Sequence, residues 1–353
     1  MSLTRIMLAG LGVLLAASPR AEIYELPPEG YDVVGAVATV IAREEDTLID
    51  IARRNGLGYH DIVRANPDVN IWVPGEGTEI VLPTRFVLPP GPRRGIVLNL
   101  AEYRLYFYPE PVEGEPAYVM TYPISIGRMD WETPLGATRV ISKVTDPSWY
   151  PPQSVRDEHA ADGRPLPRVV PPGPDNPLGK YAMRLGLPGY LIHSTNRPAG
   201  VGMRVTHGCI RMFPEDIEYL FPNVGMDTPV RIINTPVKIG WFGDELVMEV
   251  HPVLEATVSE GNEELVAADI DVDTGDGATG DGATGENEIP AQPRDPLTYV
   301  TEQFIAVTGN RAGALDWAPV EVLLDRSDGI PAAPGTRINN AATRAASHSG
   351  LNV

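Results

Sequence analysis

The stretch Ile192–Met212, IHSTNRPAGVGMRVTHGCIRM, is the segment from which the fold and the chemistry of this chain are predicted. It contains Cys209, the only cysteine among 353 residues, with His207 and His193 before it. A neutral thiol is a poor nucleophile, so thiol chemistry requires a thiolate and a nearby base. One cysteine and two histidines in a glycine-rich segment therefore predict a nucleophilic site of the acyl-transfer type.

The N-terminus supports this interpretation of the cysteine. Arg5 precedes a short apolar run, Ile6–Ala17, which is followed by small residues up to Ala21. This pattern predicts a secretory signal peptide over residues 1–21, cleaved near Ala21, with an uncleaved anchor as the alternative. In an oxidising compartment structural cysteines occur in pairs, and a single cysteine cannot form an internal disulfide. The thiol is then either buried and inert or kept for its chemistry, and the two histidines favour chemistry.

Composition limits the possible classes of protein. The net charge of −19 makes nucleic acid an unexpected partner. A hydrophobic content of 43% supports real cores, and 36 prolines with 35 glycines favour β structure with many turns. We expect a mainly β chain with some α structure, divided into several units.

The first unit is predicted over residues 37–83. A strand at Ala38–Ala42 is followed by a helix beginning near Thr47, a second helix at His60–Asn66 and a closing strand at Glu79–Leu82. With the pieces DTLIDIARR, IVRANP and VPGEGTEIVLP, this unit resembles a LysM module, a family that binds glycans containing N-acetylglucosamine, such as peptidoglycan. The alternative is a small βααβ domain that only packs on its neighbour.

The central unit is predicted over residues 95–234 and is rich in strands. Alternating and β-branched residues predict strands at 96–100, 104–108, 119–126, 136–143, 189–193 and 229–234, with one helix at 214–221. Residues 153–180 are rich in proline and predict a long loop that shapes a groove or lid over the sheet.

Residues 235–330 form a C-terminal extension of α/β type. A hairpin is expected over 238–250 and helices over 296–307 and 316–324. Between them, residues 269–289 are acidic and contain DGATG twice in tandem, which predicts a disordered insert. Residues 331–353 are small and polar, typical of a flexible tail.

The central unit resembles the YkuD-type L,D-transpeptidase catalytic domain. The matching pieces are IVLNLAEYRLYFYP, PISIG, TPLG, PSWYPP, NPLGKYAMRL, IHSTN and THGCIRM, in this order. The continuation PVKIGWFGDELVMEVHP is similar to the ErfK/YbiS subgroup of exported enzymes of the Gram-negative envelope. The resemblance implies a β-rich sandwich or barrel-like fold, a periplasmic location and peptidoglycan stem peptides as substrates.

The resemblance also implies roles for the residues of the motif. Cys209 would attack the carbonyl before a terminal D-Ala, and His193 would act as the base. Ser194, through its backbone carbonyl, would orient His193. His207 would polarise the thiol or organise the oxyanion site, to which the N–H groups of Gly208 and Cys209 would contribute.

A second set of residues is predicted to contact substrate. Arg211 has a guanidinium suited to a carboxylate, with a structural ion pair to Glu215 or Asp216 as the alternative. The other members of this set are Thr206, Tyr181 and Arg184. The route requires no cofactor or metal, although His193, His207 and Cys209 could in principle bind one zinc ion.

The expected function is an acyl transfer from a stem tetrapeptide donor to an amine. The amine would come from another stem peptide or from an envelope protein, and the membrane would be met only during export. The alternatives are a cysteine-dependent murein peptidase or amidase, in which water replaces the amine, and a noncatalytic peptidoglycan-binding protein.

Overall fold

A computed structural model of the chain describes residues 22–128, 132–254, 295–309 and 311–337. The predicted signal peptide and the acidic insert at 269–289 lie outside these ranges. Among the helices in the described ranges, none has both the length and the apolar composition required to cross a bilayer.

The N-terminal region contains a small unit of two short helices between two paired strands. Thr47 begins the first helix with a capping box, in which its hydroxyl accepts from the backbone of Asp50. The first and last strands of this βααβ unit pair antiparallel, so the predicted order is confirmed. The elements of the region are β1 (Glu22–Glu25), β2 (Val33–Gly35), β3 (Ala38–Ile41), α1 (Leu48–Arg54), α2 (Tyr59–Ala65), β4 (Glu79–Leu82) and β5 (Arg85–Val87).

The central region supplies most of a nine-stranded sheet and two helices. Its elements are β6 (Gly95–Asn99), β7 (Arg104–Tyr108), β8 (Tyr118–Pro123), β9 (Ile126–Gly127), β10 (Gly136–Thr145), α3 (Gln153–Ala161), β11 (Tyr181–Leu185), β12 (Leu191–His193), β13 (Arg204–Thr206), β14 (Ile210–Arg211), α4 (Pro214–Asn223) and β15 (Pro229–Ile233). The strand order is β1-β8-β7-β6-β15-β10-β11-β12-β14, and α4 and the sheet bury one apolar core between them. The expected β-rich fold is confirmed.

The βααβ unit is packed tightly against the central region. Its apolar residues share one core with Val97, Tyr106 and other residues of β6, β7 and β8. Arg53 on α1 forms two hydrogen bonds of 2.6 and 2.8 Å with the carboxylate of Glu215 on α4. A Cβ on Gly58 would lie only 2.7 Å from the Cα of Gly202, so the two backbones meet where no side chain fits.

The C-terminal extension adds a second sheet with two helices. Its elements are β16 (Val237–Phe242), β17 (Glu245–Val250), α5 (Pro296–Thr308), β18 (Gly313–Leu315), α6 (Trp317–Arg326) and β19 (Ala332–Arg337). The sheet order is β16-β17-β19-β18. The hairpin and the two helices predicted from the sequence are therefore confirmed.

A buried cluster of charges joins this extension to the central region. The ammonium of Lys238 on β16 donates to Glu102, which precedes β7, and lies 2.9 Å from Glu249 on β17. Glu249 also accepts from His251 at 2.7 Å and from the backbone of Val87 at 2.6 Å. Removing one member of such a cluster leaves an uncompensated buried charge, so the extension is integral to the fold.

Two expectations about irregular segments are corrected by the structure. The predicted loop 153–180 begins with helix α3, because the residues after Pro152 are good helix formers and proline is tolerated at a helix start. The predicted tail begins with β19, which pairs with both β17 and β18 and so satisfies its backbone groups in the sheet. The rest of that tail lies outside the described residues.

Candidate active site

The pairing of two short strands brings the predicted site residues together. β12 and β14 are parallel, with Ile192 opposite Ile210 and His193 opposite Arg211. Cys209 immediately precedes β14, and His193, Cys209 and Arg211 all line one cavity. Its remaining walls are mostly apolar and are supplied by Trp149, Pro152, Val155, Pro177, Leu178 and Leu191.

The thiol of Cys209 is half-buried at one side of this cavity. Its Sγ lies 3.5 Å from the carbonyl oxygen of Gly189, to which it can donate. Burial raises the pKa of the Cys209 thiol above its usual value, and a hydrogen bond from the Leu191 backbone and the charge of Arg211 act in the opposite direction. The resting site therefore holds a neutral thiol, which requires a base when it reacts.

His193 is buried at the end of β12, with one ring nitrogen engaged. Its Nδ1 lies 2.6 Å from the carbonyl oxygen of Ser194, which accepts only, so Nδ1 carries the proton of the neutral ring and Nε2 the lone pair. Burial, followed by the charge of Arg211, lowers the pKa of His193 to about 3, while the carbonyls of Ser194 and Leu178 oppose the shift. The backbone carbonyl of Ser194 thus lies within hydrogen-bond distance of the ring that it is predicted to orient.

His207 contacts a residue that the sequence analysis did not identify. Its Nε2 lies 2.9 Å from Oε2 of Glu158 on α3, and the same carboxylate accepts from both terminal nitrogens of Arg128, at 2.9 and 3.2 Å. The hydrogen bonds from Arg128 and then from His207 lower the pKa of Glu158 to about 2. Burial lowers the pKa of His207, and Glu158 partly opposes that effect.

Three residues give the loop before Cys209 its shape. Gly208 has a φ of 96°, and a Cβ there would lie 2.9 Å from the ring of Tyr190. Thr133 donates to the Gly208 carbonyl at 2.7 Å, and Thr206 donates to the Cys209 carbonyl at 2.6 Å. The hydroxyl of Thr206 thus supports the loop, although the residue also lines the cavity.

Arg211 extends into the cavity without an ion pair to any described carboxylate. Its Nε is buried and lacks a hydrogen-bond partner. The alternative ion pair with Glu215 or Asp216 is absent, because Glu215 binds Arg53. Burial lowers the pKa of the guanidinium, which nevertheless keeps its charge, so Arg211 presents an uncompensated cation to the cavity.

Two of the predicted substrate contacts lie on one strand beside the cavity. Tyr181 and Arg184 lie on β11, and neither is among the residues that line the cavity. Side chains alternate across a strand, and Tyr181 lies on the same face as Met183, packed against the central core. Its ring lies 4.8 Å from that of Phe221.

The segment 147–180 is closed at its base by Asn176. This side chain is fully buried, donates to the carbonyl of Pro147 at 2.8 Å and accepts from the backbone of Leu178 at 2.9 Å. Position 179 requires a glycine, because a Cβ there would lie 2.6 Å from the Cβ of Ser194. The motif NPLG therefore joins the covering segment to the strand that carries His193.

Sequence reasoning missed Glu158, Arg128 and the cavity wall formed by Trp149. The helix-forming run after Pro152 was the available signal for α3, but nothing in the sequence indicated which of its acidic residues faces His207. In the structure Trp149 packs beside Cys209.

Within the described ranges, one group of side chains has its potential metal ligands close together. It consists of Glu102, Glu249 and His251, whose ligand atoms lie within 4.8 Å of one another. The ammonium of Lys238 already lies between the two carboxylates, so a cation is present without a metal. His193, His207 and Cys209 do not form such a group.

Comparisons with known proteins relate the sequence of this chain to one family. Residues 93–232 match the family model YkuD, described as the L,D-transpeptidase catalytic domain. The chain is 41% identical to the probable L,D-transpeptidase YcfS of Escherichia coli over 255 residues, which is 70% of this chain and 78% of that protein. It is 42% identical to the probable L,D-transpeptidase ErfK/SrfK of Salmonella typhimurium over 67% of this chain and 76% of that protein. A crystal structure of L,D-transpeptidase 3 from Mycobacterium tuberculosis aligns with 43% of this chain and 63% of its own at 24% identity, with a TM-score of 0.29.

Proposed function

Since this chain belongs to the L,D-transpeptidase family, we propose that it acts on peptidoglycan stem peptides through a thioester at Cys209. The observation that carries the proposal is the convergence of Cys209, His193 and Arg211 on one cavity at the ends of β12 and β14. These groups supply a nucleophile, a base and a cation within one partly enclosed space.

The first half of the reaction forms the thioester. Cys209 attacks the carbonyl that precedes the terminal D-Ala of a tetrapeptide, and His193 Nε2 takes the thiol proton. The tetrahedral intermediate then collapses, the C–N bond breaks, and D-Ala leaves as an amine that receives this proton. Because the resting thiol and imidazole are both neutral, proton transfer accompanies the attack instead of preceding it.

The second half transfers the acyl group to an acceptor. An amine attacks the thioester carbon, loses a proton to the base, and releases the Cys209 thiol with formation of an amide bond. An amine of another stem peptide would produce a cross-link, and an amine of an envelope protein would attach that protein to the wall. Water in place of the amine would make the same site a peptidase.

Arg211 is the residue we propose for recognition of the donor. The terminal D-Ala carries a carboxylate, and the guanidinium of Arg211 lines the cavity with no described acidic partner. A charged hydrogen bond in such a desolvated place contributes about 1.5–3 kcal/mol. Arg211→Lys should therefore raise KM for the tetrapeptide by about tenfold, since lysine cannot form the same two parallel hydrogen bonds.

The test is incubation of the purified protein with disaccharide-tetrapeptides, read by mass spectrometry. A dimer that lacks one D-Ala supports transfer, and a monomeric tripeptide supports hydrolysis. Cys209→Ala should abolish both products. Full activity of that variant would exclude the thioester route. A noncatalytic binding protein would form neither product even as the wild type.

We further propose that the βααβ unit binds the glycan strands of the wall, as its resemblance to LysM modules suggests. The loop after α2 exposes Trp72 and Val73, with 65% and 69% of their surfaces accessible. Asn70 shapes this loop by accepting from the backbone of both residues, at 2.9 and 3.0 Å. An exposed aromatic ring of this kind can stack on a sugar face.

This second proposal is tested by sedimentation with purified peptidoglycan in a Cys209→Ala background. Trp72→Ala should reduce the bound fraction by about tenfold. Val112→Ala, at an exposed apolar residue of the central region, serves as the control and should bind normally. Equal binding by both variants would remove Trp72 from the glycan site.

We place the protein in the periplasm, on the basis of the predicted signal peptide and the single cysteine. Fusion of residues 1–30 to a reporter that is active only after export tests this location directly. A reporter that stays inactive would contradict it.

A further inference from the structure

The carboxylate of Glu158 lies at the meeting point of the covering segment and the catalytic loop. It is carried by α3, whose Val155 forms part of the cavity wall beside Cys209. It binds His207, two residues before the nucleophile, and Arg128, which follows β9. One side chain thus joins three separate parts of the chain around the thiol.

The two contacts have different consequences. The paired hydrogen bonds with Arg128 hold α3 against the body of the central region, and this planar geometry is the strongest form of ion pair. The contact with His207 requires a proton on Nε2 of the neutral ring, because a carboxylate only accepts hydrogen bonds. Glu158 therefore sets both the position of α3 and the orientation of the imidazole of His207.

We propose that Glu158 is a positioning residue that keeps α3 closed over the thioester and so favours an amine over water as the acceptor. This inference rests on the proposed function. Hydrolysis adds water to the thioester and yields a tripeptide acid and the free thiol, whereas transfer yields an amide and the free thiol. Val155 on α3 forms part of the apolar wall of the cavity, with Trp149 and Pro152 just before the helix, so a displacement of α3 would admit more water to the thioester.

Closure can be measured without any substrate, because Cys209 is the only thiol of the chain. The full-length protein is treated with iodoacetamide at a fixed pH, and the rate of alkylation is read from its intact mass. Glu158→Ala should be alkylated about three to ten times faster than the wild type, as expected for loss of a hydrogen-bonded ion pair. Glu158→Gln, which can still accept from His207 but cannot form the ion pair, should show a smaller increase.

Asp157 provides a matched control on the same helix. Its carboxylate is exposed and, among the described residues, accepts only from Gln153, at 2.6 Å, so Asp157→Asn removes one negative charge without touching Arg128 or His207. This variant should be alkylated at the wild-type rate. Circular dichroism and thermal unfolding verify that each variant is folded. If Glu158→Ala does not fold, Arg128→Ala removes the other member of the same ion pair.

The product ratio provides the second readout. With disaccharide-tetrapeptides, the ratio of tripeptide to cross-linked dimer should increase in Glu158→Ala by a factor similar to that of alkylation, and stay unchanged in Asp157→Asn. Unchanged alkylation or an unchanged ratio in Glu158→Ala would overturn the role of Glu158. If alkylation accelerates but the wild type consumes no tetrapeptide, α3 is a cover held by Glu158 and the proposed function itself is wrong.

Discussion

Asp216, near the start of α4, gives a prediction with a definite sign and pH range. Its side chain is buried and its Oδ2 has no hydrogen-bond partner. Burial, followed by the nearby charge of Glu215, raises the pKa of Asp216 from 3.8 to about 8. The folded protein therefore keeps this carboxyl protonated at pH 7, whereas the unfolded chain ionises it.

The magnitude follows from linkage. Between pH 4 and pH 8 the unfolded state binds fewer protons than the folded state, so this group makes the free energy of unfolding fall as the pH rises. At pH 7 the separation from the unfolded pKa is about 3 units, which corresponds to about 4 kcal/mol at 1.36 kcal/mol per unit. Asp216→Asn has nearly the same shape and never ionises, so it should be more stable than the wild type by about this amount at pH 7 and equally stable near pH 4.

Thermal unfolding at pH 4, 5, 6, 7 and 8 measures this difference, which should reach about 10 °C in Tm at pH 7. Glu215→Gln is the control on the adjacent residue, and it should have the opposite sign because the Glu215 carboxylate forms the ion pair with Arg53. If Asp216→Asn is no more stable than the wild type at pH 8, the carboxyl of Asp216 ionises in the folded state without penalty and the reasoning is refuted.

Three further predictions concern the site. Alkylation of Cys209 in the wild type should continue to accelerate above pH 9, because burial raises the pKa of the thiol, and a plateau below pH 8 in the rate measured by intact mass would contradict this. Asn176→Ala should lower the free energy of unfolding by about 2–4 kcal/mol, because it leaves the carbonyl of Pro147 and the N–H of Leu178 without their partner. Urea denaturation measures this loss, and a loss below about 1 kcal/mol would show that water replaces the amide. Gly208→Ala should lose most tetrapeptide turnover, because the new Cβ collides with the ring of Tyr190. The control Gly163→Ala also has a positive φ, but its Cβ lies in open space, so it should cost only about 1–2 kcal/mol of stability and keep its turnover. Equal turnover in the two variants would argue against the collision.

The sequence was sufficient to locate the nucleophile and most of the elements around it. The strands were predictable because they are rich in β-branched and aromatic residues, as in the aromatic run of β7, whose predicted bounds agree with the structure. The helix α3 and the strand β19 were not predicted, because neither sequence has a clear periodicity and the backbone of β19 is paired by the distant strands β17 and β18. The contact of Glu158 with His207 joins residues 49 positions apart, and no local pattern indicates such a pair.

The roles predicted for Tyr181 and Arg184 show a different limit. The motif that contains them was correctly associated with the site, but a motif does not reveal which face of a strand each of its members occupies. Within the motif NPLG, Asn176 and Gly179 are the residues whose contacts join the covering segment to the strand that carries His193. Family resemblance thus identified the segment, and the contacts of Tyr181 and Arg184 with substrate stay predictions.

The position of β15 in the large sheet has a consequence for how the protein acquires activity. This strand ends at Ile233, yet it lies between β6 and β10 and pairs parallel with β6, whose residues come more than 130 positions earlier. Until it is in place, β6 and β10 lack the strand that pairs with both of them, and the large sheet is not continuous at this point. A chain released in order from its N-terminus therefore cannot complete the large sheet until β15 has been made, after both His193 and Cys209.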